Sequence, residues 1–370
     1  MRKKLLALAT VGLLATATMT ACDDSDGSSD AEGGSGSGSG SGKARVGVIM
    51  PDTKSSTRWA NEDPKYLKAA FDKAGVPVEI VNAQGDRANF VKIGTDMLNS
   101  GVKVLIIANL DSDTGKEVLD KAKAKKIPTI DYDRLTLNGG ADYYVSFNNE
   151  KVGQLQASGL ISCLTAKGVE NPIVAELNGS PTDNNATLFK AGYDSLLNPK
   201  YDAAVYTKGP DQSVPDWDNE EGEKIFAQML QQQPKIAGVL SANDGLGGAA
   251  IKVLRSKGLA GKVPVTGQDA TIEGLQAVLA GDQCMTVYKP LRPEATRAAE
   301  LAIDLFKGNK PTTREQIKDP ESGGYVPFIS LDPQPIFAAN VKDVVADGFV
   351  DKAKLCAGKY ATLCAKYKVK

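Results

Sequence analysis

Polar and charged side chains stand just beyond the end of almost every strand that this sequence predicts. In open α/β sheets, ligands bind beyond the carboxyl ends of the strands, so these positions are the first candidates for chemistry. In chain order they are Arg58-Trp59, Asp133-Arg134, residues 178–185, Asn243-Asp244, Gln268-Asp269 and Tyr288-Lys289. Each signal is weak alone, but their shared location predicts a single binding site.

The side-chain types at these positions suit a ligand that is rich in hydroxyl groups. Carboxylate and amide oxygens accept from hydroxyls, whereas Arg and Lys donate to hydroxyl and ring oxygens. The chain has two Trp, Trp59 and Trp217, and each stands beside a charge in a predicted loop. One from each lobe could sandwich a pyranose ring and bury a large area at low entropic cost. The pattern therefore favours a sugar.

Each candidate also has a purely structural interpretation. Asp133-Arg134 is equally consistent with an ion pair at a sheet edge, and Trp217 with an ordinary half-buried Trp. One residue of Asp183-Asn184-Asn185 is expected to cap the following helix. Asn243 could be a turn residue, and Lys289 could be a solvated surface charge.

The elements that must position these residues alternate in type from Arg45 onward. Short β-branched runs predict buried strands, and amphipathic stretches between them predict helices, a rhythm typical of a parallel sheet covered by helices. The rhythm restarts after the fourth strand, so we expect two doubly wound lobes. Predicted strands lie at 46–50, 78–81, 104–108, 128–131, 172–177, 203–206, 238–241 and 263–266; the main predicted helices lie at 113–125, 149–166, 185–197, 220–232, 247–257 and 293–307.

Composition argues against several enzyme classes, although enzymes built on carboxylates or Lys remain possible. The chain contains no His, which excludes hydrolases with a catalytic His and the usual His-bearing zinc sites. There is no G-x-G-x-x-G after the first strand and no G-x-x-x-x-G-K-[ST]; residues 245–248 are Gly-rich but lack the Lys of a phosphate loop. We therefore predict no catalytic residues, no metal and no cofactor. A net charge of −1 gives no reason to expect nucleic acid.

The N-terminus predicts export. Arg2, Lys3 and Lys4 precede a short apolar run that ends in small residues before Cys22, as in a secretory signal peptide. An uncleaved membrane anchor is the alternative. The end of the run resembles a bacterial lipobox, which implies a lipoprotein signal peptide over residues 1–21 and a lipidated Cys22. Residues 23–43 are Ser-, Gly- and acid-rich and predict a disordered tether, so 22–43 would hold the chain at the outer face of the cell membrane.

Four further cysteines are Cys163, Cys284, Cys356 and Cys364. An even number in an exported chain favours disulfides. Cys356 and Cys364 are the easiest pair to join because they are close in sequence, which would leave Cys163 for Cys284. Spacing alone does not fix the connectivity, and free buried thiols are the alternative.

Several segments, in order, resemble the periplasmic sugar-binding proteins of the ribose/galactose type, and especially the xylose-binding branch of that family. The resemblance covers roughly residues 44–350. Its segments are Asp131–Arg134, Tyr144–Gly153, Gly179–Ala186, Ser241–Asp244, Gly267–Ala270 and Met285–Pro290.

The resemblance implies which residues bind the ligand and how the lobes are joined. The implied sugar contacts are Arg58, Trp59, Asp133, Arg134, Asn185, Trp217, Asn243, Asp269 and Lys289. The implied fold is the type I periplasmic binding protein fold, with an N-terminal lobe (44–147 plus 290–329) and a C-terminal lobe (148–289 plus 330–370). Three hinge crossings are expected near Phe147-Asn148, Tyr288-Lys289 and Ile329-Ser330.

The implied function is to capture a monosaccharide, D-xylose first among them, by hinge closure and to deliver it to the membrane domains of an ABC importer. The family expectation is a monomer. Three alternatives use related scaffolds. The first is a sugar-responsive repressor, which would need a helix-turn-helix where this chain has an export signal. The second is an exported enzyme that uses paired carboxylates such as Asp133 and Asp269, and the third is a sensor that presents bound sugar to a receptor kinase. Another pentose or a hexose is the alternative ligand.

Overall fold

Parallel strands connected by helices form the framework of residues 44–370, which are the residues that the computed structural model describes. The strands are β1 (Arg45–Met50), β2 (Val78–Asn82), β3 (Val102–Ile107), β4 (Thr129–Tyr132), β5 (Tyr143–Phe147), β6 (Ile173–Asn178), β7 (Thr207–Ser213), β8 (Ile236–Ser241), β9 (Thr286–Tyr288), β10 (Glu315–Lys318), β11 (Tyr325–Leu331) and β12 (Gln334–Ile336). The helices are α1 (Glu62–Ala74), α2 (Arg87–Asn99), α3 (Ser112–Ala124), α4 (Asn149–Ala166), α5 (Asn184–Asp202), α6 (Asn219–Gln232), α7 (Asp244–Ser256), α8 (Ile272–Ala280), α9 (Leu291–Phe306), α10 (Val341–Ala346), α11 (Lys352–Leu355) and α12 (Ala361–Lys366).

The first lobe is built on a seven-stranded sheet in the order β10-β11-β5-β4-β3-β1-β2. Its strands are parallel except for the antiparallel pair β10 and β11. Both faces of the sheet are covered: Val46 and Val48 of β1 pack with α1 and α9, whereas Ile49 packs with α2 and α3. Burial on both faces explains why β1 is a continuous apolar run rather than an alternating one.

The second lobe is built on the parallel strands β7-β6-β8, and a large apolar core joins them to α4, α5, α6 and α7. Strand β9 pairs with β12 in a separate antiparallel ladder. The C-terminal helices α10, α11 and α12 pack with α8 in a smaller core that includes Tyr288. The tail of the chain therefore ends in the second lobe.

The chain passes between the lobes at three places: after β5, after β9, and between β11 and β12. The third crossing lies later than the one expected near Ile329-Ser330. Strand β11 stays paired with β5 until Leu331, which lies opposite Phe147, so the chain leaves the first sheet at Asp332-Pro333.

Two of the predicted strands are wrong in position or extent. Residues 203–206 form a turn after α5, in which the amides of Val205 and Tyr206 both donate to the carbonyl of Lys200, and the strand follows at Thr207–Ser213. That strand is polar and holds a Gly and a Pro, so it has no β-propensity signal. The strand expected at 263–266 is reduced to a single bridge between Val239 and Val265.

Two disulfides lie in the second lobe. Cys163, near the end of α4, is bonded to Cys284, just before β9. Cys356 is bonded to Cys364 across the C-terminal helices. The first bond joins segments 121 residues apart, and the second closes a short loop.

Candidate functional site

One cleft between the lobes is lined by all nine of the residues for which the resemblance implied a ligand contact. They are Arg58, Trp59, Asp133, Arg134, Asn185, Trp217, Asn243, Asp269 and Lys289. The cleft encloses a small cavity of about 30 Å³. The first four residues come from the first lobe and the next four from the second, with Lys289 at a crossing, so both lobes meet around this space.

Arg58 organises the charges of the first lobe. Its guanidinium is 5% exposed and contacts three carboxylates: Nη1 lies 2.7 Å from Asp133 Oδ2, and Nη2 lies 2.8 Å from Asp63 Oδ1 and 2.6 Å from Glu294 Oε2. Burial lowers the pKa of Arg58, but the three neighbouring charges outweigh it and raise that pKa. Burial, together with Asp133 and Asp63, raises the pKa of Glu294 well above its usual range. The position of Asp133 is therefore set by a fixed cation.

Asp133 itself is an ionised acceptor at neutral pH. Burial raises its pKa, but the charges of Arg58, Lys289 and Arg134 outweigh burial and lower it to about 2. Its backbone lies in the left-handed region, with φ of 63°, and its amide donates to Val145 O at 2.8 Å at the end of β4. This turn presents the carboxylate to the cleft.

The two Trp residues reach the cleft from opposite lobes. Trp59 ends a 3-10 turn at Thr57–Trp59, lies 4.2 Å below the guanidinium of Arg58, and has a buried indole N–H without a protein partner among residues 44–370. Trp217 packs edge-on against Phe189 and donates to Asp183 Oδ2 at 3.1 Å. Trp217 is therefore held by two contacts, whereas the buried Trp59 N–H has no partner among the described residues.

A glycine and a strained turn position the ring of Trp217. Asp216 and Trp217 have φ of 52° and 56°, values that side chains rarely adopt. A Cβ at Gly179 would lie 2.0 Å from the ring, so only Gly fits at that position. Trp217 is 6% exposed and is buried at the cleft rather than half-buried on the surface.

The Asn side chains are partly occupied by the protein. The amide nitrogen of Asn185 donates to Asp133 O at 2.9 Å and to its Oδ1 at 3.2 Å, while its oxygen accepts from Asn149. Asn185 therefore links the lobes directly. Asn243 caps α7, because its oxygen accepts from the amide of Leu246 at 2.8 Å. Only its NH₂ group is available to a ligand.

Lys289 is buried, not a solvated surface charge. It is 4% exposed, and its Nζ lies 3.4 Å from Asp269 Oδ1 and 3.7 Å from Asp133 Oδ2. The ammonium also faces the rings of Phe147 and Phe189 at 5.8 and 5.9 Å. It joins a carboxylate of each lobe at the middle crossing.

Sequence reasoning missed five cleft residues as ligand contacts: Ser55, Ser56, Asp183, Phe189 and Gln268. Asp183 and Gln268 lie in strand-end segments that had been singled out, and Asp183 is the cap of α5, accepting from the amide of Asn185. It also pairs with Arg134 Nε at 3.1 Å. Phe189 lies one helical turn after Asn185 on α5, a spacing that could have revealed it.

The cleft lining has balanced charge and no metal-binding cluster. It contains three cationic side chains (Arg58, Arg134, Lys289) and three carboxyl side chains (Asp133, Asp183, Asp269). Within residues 44–370 no group of acidic or Cys side chains is arranged to hold a metal. The donors and acceptors are fixed by the protein, an arrangement that suits a neutral, polar ligand.

A model of the periplasmic binding protein domain matches residues 46–310, which is well over half of the chain. The chain belongs to this family. Its two-lobed fold, predicted from the alternation of strands and helices and from the resemblance, is thereby confirmed.

Several proteins that are similar to this chain are sugar-binding proteins. The chain is 35% identical over 317 residues to the D-xylose-binding periplasmic protein of Escherichia coli K12, covering 84% of this chain and 92% of the relative. It is 32% identical to the multiple sugar-binding periplasmic receptor ChvE of Rhizobium radiobacter, covering 83% and 91%. A solved ABC transporter solute-binding protein from Clostridium phytofermentans, with bound β-D-glucose, aligns with a TM-score of 0.77 and 27% identity over 85% of this chain and 100% of that one.

These findings confirm the resemblance to sugar-binding proteins and the expectation that the chain is a solute receptor rather than an enzyme. Family membership implies export to the periplasm or extracytoplasmic space. Among residues 44–370, no helix has the length and apolar character needed to cross a membrane. The signal peptide, the tether and the lipidation of Cys22 that the sequence predicts lie outside the described residues.

Proposed function

We propose that this protein binds a monosaccharide, D-xylose in the first instance, by closure of its lobes, and delivers it to an ABC importer. The observation that supports this most strongly is the single cleft that gathers strand-end donors and acceptors from both lobes. A ligand that contacts both sides favours the closed state, because those contacts exist together only there.

The chemistry of the cleft supports a sugar over a charged metabolite. Three cationic and three carboxyl side chains line it, so a neutral ligand leaves the charges balanced. Asp133 accepts from hydroxyls as a charged group, and such bonds are stronger than neutral ones. Trp59 and Trp217 offer aromatic rings to the C–H faces of a sugar ring, which is the stacking pair that we propose.

The choice of D-xylose rests on the relatives. Two of them are D-xylose-binding periplasmic proteins, from Escherichia coli at 35% identity and from Haemophilus influenzae at 32%. The alternative, another pentose or a hexose, is favoured by the multiple sugar-binding receptor and by the glucose-bound structure. A sensor that presents sugar to a receptor kinase is the second candidate, because the Rhizobium relative is itself called a receptor.

Calorimetric titration of the purified protein with D-xylose, L-arabinose, D-ribose, D-glucose and D-galactose tests the proposal. We expect one-to-one binding of D-xylose with Kd of about 1 μM or tighter, which corresponds to about −8 kcal/mol. Binding is expected to be lost in Asp269→Ala and weakened in Trp217→Ala. Asp282→Ala is the matched control, because Asp282 pairs with Arg255 on the surface of the same lobe. Tighter binding of another sugar would identify that sugar as the ligand in place of D-xylose. If none of the five sugars binds, the monosaccharide proposal is refuted.

We further propose that Cys22 is lipidated and that residues 22–43 tether a monomer to the outer face of the cell membrane. The supporting observation is the small residue before Cys22 at the end of the apolar run. Cell fractionation tests it: Cys22→Ala should move the protein from the membrane fraction to the soluble extracytoplasmic fraction. An unchanged distribution would exclude lipid anchoring through Cys22.

A further inference from the structure

The loop Gln268–Thr271, which carries Asp269 into the cleft, is strained. Asp269 has φ of 96° and Ala270 has φ of 50°, and two consecutive residues other than Gly in this region persist only when the surroundings hold them there. The side chain of Asp269 lies within 3.4 Å of Lys289. A ligand-facing carboxylate is therefore presented by a backbone that needs external support.

The backbone of this loop is held at four successive residues. Asp269 N–H donates to Val287 O at 2.8 Å, and Ala270 N–H donates to Thr286 Oγ1 at 3.3 Å. The other two bonds go to one residue: Thr271 N–H donates to Asp244 Oδ2 at 2.9 Å, and Gln268 O accepts from Asp244 N–H, also at 2.9 Å. Asp244 therefore makes hydrogen bonds to both ends of the strained segment.

Asp244 lies behind the cleft. It is 4% exposed and does not line the ligand space. Its Oδ1 accepts from Gln283 Nε2 at 2.7 Å and from Thr286 Oγ1 at 2.8 Å. The Thr286 hydroxyl thus donates to Asp244 and accepts from Ala270 N–H, which makes it a relay between the carboxylate and the loop.

Two glycines pack closely against the carboxylate of Asp244. A Cβ at Gly267 would lie 2.1 Å from Asp244 Oδ1, and a Cβ at Gly274 would lie 2.2 Å from Oδ2. Both Gly residues flank the loop, so the backbone passes close to the carboxylate on each side. Asp244 also follows Asn243, whose NH₂ group reaches the cleft.

We propose that the buried carboxylate of Asp244 is a positioning residue for sugar binding: it fixes the strained Gln268–Thr271 loop and thereby presents Asp269 to the ligand. The proposal rests on the proposed function only for the identity of the ligand. It differs from a general stabilising role, because an effect that acts through the loop must disappear when Asp269 no longer contributes.

The first measurement needs no sugar. Hydrogen–deuterium exchange of the full protein should show amide exchange across 269–271 at least tenfold faster in Asp244→Asn than in wild type. Asp319→Asn is the matched control, because Asp319 is 2% exposed and also accepts loop amides, but does not line the cleft. Exchange at 269–271 that is unchanged in Asp244→Asn would overturn the proposal.

The second measurement is a double-mutant cycle by calorimetry with D-xylose. Asp244→Asn should weaken binding at least tenfold when Asp269 is present and less than twofold in the Asp269→Asn background, whereas Asp319→Asn should change it less than twofold. Equal losses in both backgrounds would overturn the positioning role. Thr286→Val, which removes only the relay, gives a milder variant and should weaken binding three- to tenfold. The wild type could fail to bind sugar while Asp244→Asn still speeds amide exchange across 269–271. That result would refute the proposal that the ligand is a sugar and would support the role of Asp244 in fixing the loop.

Discussion

At the scale of single residues, the cleft depends on charges that are buried and paired. Arg58 makes contacts with Asp63, Asp133 and Glu294, and Tyr132 donates to Asp63 as well. A buried charge is costly unless it is paired and hydrogen-bonded. Arg58 therefore acts first as the group that makes the carboxylate of Asp133 tolerable in the interior, and only then as a donor to the ligand.

Replacing Arg58 by Met should destabilise the protein by about 3 to 5 kcal/mol, because the carboxylates would stay buried without a partner. Urea unfolding measures the loss. The control is Arg45→Gln, which removes the partly exposed pair of Arg45 with Glu79 and should cost about 1 kcal/mol or less. Equal losses in the two variants would show that the buried Arg58 cluster contributes no more stability than a partly exposed pair.

Asp131 gives a prediction on pH. Burial raises its pKa to about 7, against the bonds from Thr136 that lower it. A carboxyl whose pKa is higher in the folded than in the unfolded state contributes stability that is complete below about pH 4 and is lost as the pH rises through about 7. A shift of about three units corresponds to about 4 kcal/mol.

The stability of Asp131→Asn should therefore depend less on pH than that of wild type. Urea unfolding at pH 5 and pH 8 measures this, and the variant should compare more favourably with wild type at pH 8. Burial also raises the pKa of Asp244 to about 7, so Asp131→Asn keeps part of the pH dependence of the wild-type stability. A wild-type minus variant difference that is the same at both pH values would contradict the pKa of Asp131.

At the scale of elements, close approach of α4 and α5 sets the start of both helices at the cleft. A Cβ at Gly153 would lie 2.0 Å from Phe189 O, and one at Gly192 would lie 2.1 Å from Glu150 O. Asn149 at the start of α4 donates to Asn185 at the start of α5. The packing of α4 against α5 thus fixes Asn149 and Asn185, and Asn185 donates to Asp133.

Gly153→Ala should destabilise the protein by about 2 to 3 kcal/mol, because the added methyl group must separate two backbones. Thermal unfolding measures this. Gly248→Ala in α7 is the control: no atom lies within 4 Å of its Cβ position, and the substitution should stabilise by about 0.5 to 1 kcal/mol. Similar effects of the two substitutions would contradict the tight crossing.

The elements also show what the sequence could and could not predict. Strands that are buried on both faces, such as β1, were found because they are continuous apolar runs. The polar strand β7 was missed because it lies at a sheet edge, where burial does not select its residues. The cleft-lining residues at strand ends were predicted from their position and from the family resemblance. Glu294 was missed because its contact with Arg58 spans 236 residues, and no local pattern encodes it.

At the scale of the whole molecule, a small number of buried contacts hold the lobes together around the cleft. Asn185 donates to Asp133, and Arg134 Nε lies 3.1 Å from Asp183 Oδ2. Arg134 is anchored in its own lobe by Asn109 O. Closure therefore brings together groups that are already fixed, which limits the entropy lost when a ligand binds.

Asp183→Asn should favour the open form, because it weakens a charge pair that joins the lobes. The amide keeps an oxygen for the cap of α5, but its NH₂ group replaces the oxygen that accepts from Trp217 Nε1, and the charge that attracts Arg134 across the cleft is lost. The apparent Kd for D-xylose should rise about three- to tenfold, because affinity falls with the fraction of the protein that is competent to bind.

Small-angle X-ray scattering should give a larger radius of gyration than wild type without sugar and the same radius at saturating sugar. Asp282→Asn, which neutralises a surface pair within one lobe, should match wild type throughout. A variant that stays larger even when saturated would mean that this pair is needed to form the closed state itself, and that sugar contacts alone do not close the lobes.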